Sequence, residues 1–136
     1  MAEKQAALVI GAGDATGGAI AKRFAREGFE TCVVRRHADK LQPLVDEISA
    51  AGGAAHAFGT DARKEEEMIA LIDQIETDIA PLGVAVFNIG ANVNFPITET
   101  TSRVYFKVWE MAAFAGFLTG REAARKMTPR GRGTII

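Results

Sequence analysis

Apolar positions along this chain fall into two alternating rhythms. Short apolar runs occur at Ala6 to Ile10, Thr31 to Val34, Ala54 to Phe58 and Val84 to Phe87, and another opens at Gly133 to Ile136. Runs of this length predict strands, the weakest being Ala54 to Phe58, which has no Val or Ile. Between them lie stretches with helical spacing. Ala19 to Glu27 is the first, closed by Gly28. Asp39 to Ala51 is the second, with Leu41, Leu44, Val45 and Ile48 at i, i+3, i+4 and i+7, and Gly52 and Gly53 stop it. Lys64 to Ile79 carries Met68, Ile72, Ile75 and Ile79 on one stripe and ends before Pro81 and Gly83. Thr101 to Met127 reads as one long helix, followed by a turn at Pro129 and two glycines.

Strands that alternate with helices in this way predict βαβ units and a parallel sheet. Right-handed crossovers then place helices on both faces, giving a doubly wound α/β domain. No linker, low-complexity stretch or solenoid repeat interrupts residues 1–136. Thr134, Ile135 and Ile136 read as the opening of a buried strand, so the chain is expected to be a fragment of a longer single domain, truncated after its fifth strand begins.

Charge and composition narrow the partners. The formal net charge of -1 gives no basic face for nucleic acid or an anionic membrane. No apolar run approaches the roughly 18 residues that span a bilayer. The start, Met-Ala-Glu-Lys-Gln, carries no signal-peptide pattern. The one cysteine, Cys32, lies inside an apolar run, which excludes a disulfide framework and predicts a buried structural thiol. A soluble, cytoplasmic protein is the expectation.

The candidate chemistry begins at Gly11-Ala12-Gly13-Asp14-Ala15-Thr16-Gly17, between the first strand and the first helix. A tight strand-to-helix turn needs a residue without Cβ, and Gly11 supplies it. A pyrophosphate needs close backbone approach and free N–H groups at a helix N-terminus, which Gly13, Thr16 and Gly17 offer. The spacing departs from G-x-G-x-x-G, since Thr16 stands where the third glycine belongs. A loop that only turns the chain, or one that holds a methyl-donor cofactor, remains an alternative. A P-loop is excluded, because no Gly-Lys-Ser/Thr follows.

In a dinucleotide fold the end of the second strand meets the adenosine ribose, about 20 residues past the glycines, and an acid there selects NAD. This chain has Arg35 and Arg36, with no acid before Asp39. Guanidinium groups pair with a 2′-phosphate, which favours NADP, with NAD the less favoured cofactor. Solvated arginines at the strand end are the alternative, and Asp14 in the loop opposes an additional phosphate.

Taken together, these landmarks resemble the N-terminal half of a classical short-chain dehydrogenase/reductase. That family opens with TGxxxGxG, matched by Ile10 to Gly17 with Ile10 in place of the threonine and Ala15 in place of the middle glycine. Thr60-Asp61-Ala62 resembles the family's adenine-binding Asp after the third strand. Phe87-Asn88-Ile89-Gly90 resembles its NNAG, with the first Asn lost. Ala115-Gly116-Phe117 and Arg121 fall in register with its fourth helix. Gly131 to Ile136 resembles the approach to its fifth strand. The resemblance implies a Rossmann-like sheet of strand order 3-2-1-4-5 binding a dinucleotide at the carboxyl ends of its strands. Gly11, Gly13, Asp14, Ala15, Thr16 and Gly17 would meet the pyrophosphate and Arg35 and Arg36 the 2′-phosphate. Asp61 and Ala62 would frame the adenine, and Asn88 and Gly90 the adjoining ribose.

The implied activity is NAD(P)-dependent hydride transfer on a small alcohol or carbonyl substrate. The family's catalytic groups are a Ser, a YxxxK pair and a helix Asn. None is found here: the only Tyr is Tyr105, followed four residues later by Trp109, and Ala112 stands at the position matched to the Asn. The Ser and Tyr are expected beyond Ile136. A non-catalytic dinucleotide sensor or scaffold is the alternative, as is an interaction domain that has lost the cofactor.

Other residues carry less. His37 and His56 lack metal-ligand spacing and read as structural or solvated. Lys64-Glu65-Glu66-Glu67 reads as a solvated helix start that complements the dipole. Arg125-Lys126 and Arg130-Gly-Arg132 have no aromatic interleaving and read as cations at a helix end. Val104, Val108, Met111, Ala115 and Leu118 form one apolar stripe of the long helix, and Phe106, Trp109, Ala113 and Phe117 a second. Two stripes need two partners. One is the sheet; the other is expected to be a second subunit or a C-terminal half that covers the helix.

Overall fold

The computed structural model describes residues 3–136; Met1 and Ala2, part of the segment read for a signal pattern, lie outside them. Five parallel strands pair in the order β3-β2-β1-β4-β5. They are β1 (Ala6–Ile10), β2 (Glu30–Arg35), β3 (Ala54–Gly59), β4 (Leu82–Phe87) and β5 (Thr134–Ile135). The helices are α1 (Thr16–Arg26), α2 (Gln42–Ala50), α3 (Glu65–Asp78), α4 (Ser102–Trp109) and α5 (Ala115–Arg130). The expected fold class and strand order are both observed.

Alternation along β1 decides which helix packs where. Ala6, Leu8 and Ile10 face one way, with Cys32 and Val34, and pack with Met68, Ile72 and Ile75 of α3 and Ala115, Leu118, Ala123 and Met127 of α5. Val9 and Val33 face the other way, against Ala21 and Ala25 of α1 and Leu44 and Ile48 of α2. Ala7, Val84 and Val86 extend that second face under Phe24 and Phe29. Both faces of the central strands are thus covered, and this is why β1, β2 and β4 contain unbroken apolar runs, whereas edge strand β3 is half-buried and carries His56. No described helix is long and apolar enough to cross a membrane.

Four local features depart from the pattern read along the chain. A 3₁₀ turn over Ala38–Leu41 precedes α2. β4 starts two residues early, at Leu82, because Ala6 donates its N–H to the Pro81 carbonyl at 2.8 Å and pairs with Leu82, leaving Gly83 unpaired where the register shifts before Val84. Pro129 sits inside the last turn of α5, and the helix ends at Gly131 in the left-handed region, φ +68°. The long helix is also not uniform, since a π-helical segment over Glu110–Phe114 joins α4 to α5.

The cations at the end of α5 are structural. Arg130 places two N–H groups on the Glu76 carboxylate at 2.6 and 2.8 Å and a third bond on the Leu82 carbonyl. Lys126 pairs with Asp73 at 2.7 Å. These bonds lash α5 to α3 and to the start of β4.

Candidate functional site

β1 ends at Ile10 and the chain must turn at once into α1. Gly11 makes that turn with φ +83°, a conformation side chains resist. A Cβ there would stand 2.5 Å from the Asn88 carbonyl oxygen. The turn is held from three sides. Gly11 and Ala12 donate to the Val34 carbonyl at 3.0 and 3.2 Å, and Asn88 donates its N–H to Ile10 at 2.9 Å. The Asn88 side chain donates to the Gly11 carbonyl at 3.4 Å.

Gly17 and Gly18 open α1, and both are buried. A Cβ on Gly17 would overlap the Gly11 carbonyl and lie 2.9 Å from the Ala12 Cα, and one on Gly18 would overlap the Gly13 carbonyl. The loop therefore packs on the helix start closer than any side chain permits. No side chain caps α1, so its first N–H groups face outward beside exposed Asp14, Ala15 and Thr16. The backbone thus leaves both the space and the donors that an anionic group needs. Gly18 was missed along the sequence; a second consecutive glycine in a helix start, where glycine costs stability, is the signal that pointed to it.

Around the carboxyl ends of β1, β2 and β3 lies an open cavity of about 190 Å³. Gly11, Arg35, Arg36, Asp61 and Ala62 all line it, so five of the sequence-predicted residues share one wall. The Arg35 guanidinium also comes within 4.0 Å of where a Gly13 Cβ would stand, joining the glycine loop to the cavity rim. Asn88 braces the loop rather than lining the cavity. Gly90 is exposed with open space around it, and nothing in its backbone requires glycine.

Ile10, Val34, Thr60, Ile89, Arg63 and Met111 also line it and were not among the predicted site residues; Arg63 and Met111 matter most to its shape and charge. Met111 belongs to the π segment, so the irregular helix contributes a wall of the cavity. Arg63 grips Asp61: its Nε and Nη2 reach the two carboxylate oxygens at 2.9 and 2.8 Å, and its own backbone N–H reaches Oδ1 at 3.1 Å. The Asp61 N–H donates to Glu67 at 2.7 Å. Hydrogen bonding from Arg63 outweighs burial and holds the Asp61 carboxyl down at about 2. The acid–x–base spacing of Asp61-Ala62-Arg63 was the available sequence signal.

Arg35, Arg36 and neighbouring Lys40 form no salt bridge among the described residues, whereas Arg63, Arg121, Arg125, Arg130 and Arg132 all do. The strand end therefore presents uncompensated positive charge to the cavity. The histidines lie elsewhere. His37 is exposed, and His56 Nε2 sits 2.8 Å from Glu30, which Lys4 also pairs. The Cys32 thiol is pushed up to about 12 by burial and stays protonated.

Residues 5–136 match the family model described as short chain dehydrogenase. A solved short-chain dehydrogenase from Rhodopseudomonas palustris is 55% identical, with a TM-score of 0.92 over 96% of this chain and 61% of that one. A metagenomic short-chain oxidoreductase solved in complex with NADP is 26% identical, with a TM-score of 0.91 over 96% of this chain and 60% of its own. Among curated relatives, gluconate 5-dehydrogenase of Gluconobacter oxydans is 31% identical over 130 residues, which is 96% of this chain and 51% of that protein. The chain spans about half the length of the curated relatives it matches.

Two outcomes follow from this geometry. Gly17→Ala destabilises the protein by about 1–3 kcal/mol in urea unfolding, since backbone rather than a flexible side chain must yield, whereas Gly90→Ala changes stability by less than about 0.5 kcal/mol. The Asp61 carboxyl titrates lower folded than unfolded, so its contribution is complete near neutral pH and is lost as pH falls from about 4 towards 2. The stability gap between wild type and Asp61→Asn is therefore about 1–2 kcal/mol at pH 7 and shrinks through that interval. A gap that stays constant contradicts the assignment.

Proposed function

The chain belongs to the short-chain dehydrogenase family, and on that premise we propose that it supplies the dinucleotide-binding part of an NADP(H)-dependent oxidoreductase acting on a small alcohol or carbonyl compound. The observation that carries the cofactor choice is the unpaired positive charge of Arg35 and Arg36 at the rim of the cavity, where a carboxylate would favour NAD. An NADP complex of a relative with the same fold supports it.

The residues present fit such a cofactor. The Gly11, Gly17 and Gly18 cradle, which a Cβ would fill, admits a pyrophosphate against the N–H groups of α1, with Gly13, Asp14, Ala15 and Thr16 beside it. Arg35 and Arg36 take the 2′-phosphate, Asp61 and Ala62 the adenine, and Asn88 and Gly90 the ribose side. When bound, the nicotinamide supplies or accepts the hydride. This chain's residues bind and orient it; the groups that move the substrate proton belong to the remainder of a protein of the relatives' length.

The exposed aromatic side chains of α4 and α5, Phe106, Trp109 and Phe117, are 47–63% exposed and form an apolar face for a second copy of the chain. A second reading, a dinucleotide-binding sensor without catalysis, is favoured by Ala112. It stands in the π segment where the family's Asn is matched, and no Asn occurs anywhere in α4 or α5. Tight cofactor binding without turnover on any carbonyl substrate, measured on a protein of the relatives' length rather than on residues 1–136, selects that reading.

Fluorescence titration tests the cofactor choice. NADPH is expected to bind at least about tenfold tighter than NADH, and the double variant Arg35→Ala/Arg36→Ala to lose that preference, since each charge-assisted bond is worth about 1.5–3 kcal/mol. Equal affinities in the wild type overturn the NADP assignment, and binding of neither overturns the dinucleotide reading itself.

A further inference from the structure

The cavity wall holds an arginine that the cofactor reading leaves without a role. Arg63 does not point at solvent as a free cation. It closes a fork on Asp61 and reaches Glu110, the first residue of the π segment, at 3.7 Å. Its side chain is thus braced from the strand end on one side and from the helix on the other.

The lone pairs of Asp61 are divided unequally by that fork. An ionised carboxylate offers about two acceptor sites on each oxygen. Oδ1 accepts both the Arg63 N–H and Nε, at 3.1 and 2.9 Å, which fills it. Oδ2 accepts only Nη2, at 2.8 Å, and keeps one site open. The carboxylate is locked in orientation, since rotation about Cβ–Cγ would break bonds to both oxygens. It also stays an acceptor at every physiological pH.

We propose that Arg63 is a positioning residue for base recognition: by filling Oδ1 and fixing the plane of Asp61, it leaves one aimed acceptor on Oδ2 that takes the exocyclic amine of an adenine and rejects a base with a carbonyl there. This deepens the cofactor reading and rests on it. A 6-oxo group would set acceptor against carboxylate, an interaction with no shared proton. An arginine is needed because only a planar guanidinium engages both oxygens at once, and a lysine ammonium holds one point.

The test compares two ligands differing only at that position. Affinities of the intact protein are measured for NADPH and for nicotinamide hypoxanthine dinucleotide phosphate, and for NADH and its hypoxanthine counterpart. Variants are Arg63→Met, which keeps the apolar stem, and Arg63→Lys, which keeps the charge. Wild type is expected to prefer the adenine ligand by about tenfold, the worth of one bond to a charged acceptor. Both variants are expected to reduce that ratio to within about twofold of unity, with the hypoxanthine ligand bound nearly as before. A merely structural arginine would weaken both ligands together and leave the ratio unchanged, which overturns the proposal. A ratio that rises on substitution also overturns it, because Arg63 would then mask Asp61. A wild type that binds adenine dinucleotides without discrimination sinks this proposal alone, and one that binds none sinks the cofactor reading with it.

Discussion

Everything at the candidate site depends on one close approach of backbone. The end of β1, the start of α1 and the end of β4 meet at Gly11, Gly17 and Asn88 at distances no Cβ tolerates. The contact fixes where α1 begins and therefore where its unpaired N–H groups point. It also sets the height of β2 and β4 against β1, through the bonds to Val34 and from Asn88. The flanking positions, Arg35 and Arg36 after β2 and Asp61 after β3, inherit their places from that register.

The sheet supplies rigidity and the irregular elements supply chemistry. Residues 6–10 of β1 are almost wholly buried, so its register cannot slip without exposing a core strand. Asp61 and Arg63, by contrast, stand in the turn after β3, and Met111 in a π segment. Such segments recur at functional sites because they redirect a side chain without ending the helix. Here the redirected residue is Met111, and Glu110 beside it braces Arg63.

The fold was legible because its strongest signals are periodic. Apolar strands and one-sided helices follow from a sheet covered on both faces and made the element order readable, whereas the strand order came with the family resemblance. The details that escaped are those decided by a single tertiary bond. Leu82 joins β4 because of a partner 76 residues away, and neither Pro81 nor Gly83 signals it. The π segment contains no proline or glycine to mark it. Around the cavity, the loop glycines and Arg35 and Arg36 were singled out because backbone clearance and charge are written in residue type, whereas Asp61 and Ala62 were singled out by the family resemblance. Arg63 was missed, because its meaning lies in a bidentate geometry. Gly90 was singled out by resemblance, and its surroundings impose no need for glycine.

The central claim is that a dinucleotide lies across the carboxyl ends of β1, β2 and β3, on the loop that Gly11 and Gly17 bring together. Hydrogen–deuterium exchange with and without saturating NADPH tests this most directly. The account predicts slowed exchange confined to residues 11–18, 35–37, 60–64 and 88–91, with α2 and the distal half of α3 unchanged. Saturation that leaves residues 11–18 unprotected, or protection centred on another surface, contradicts it.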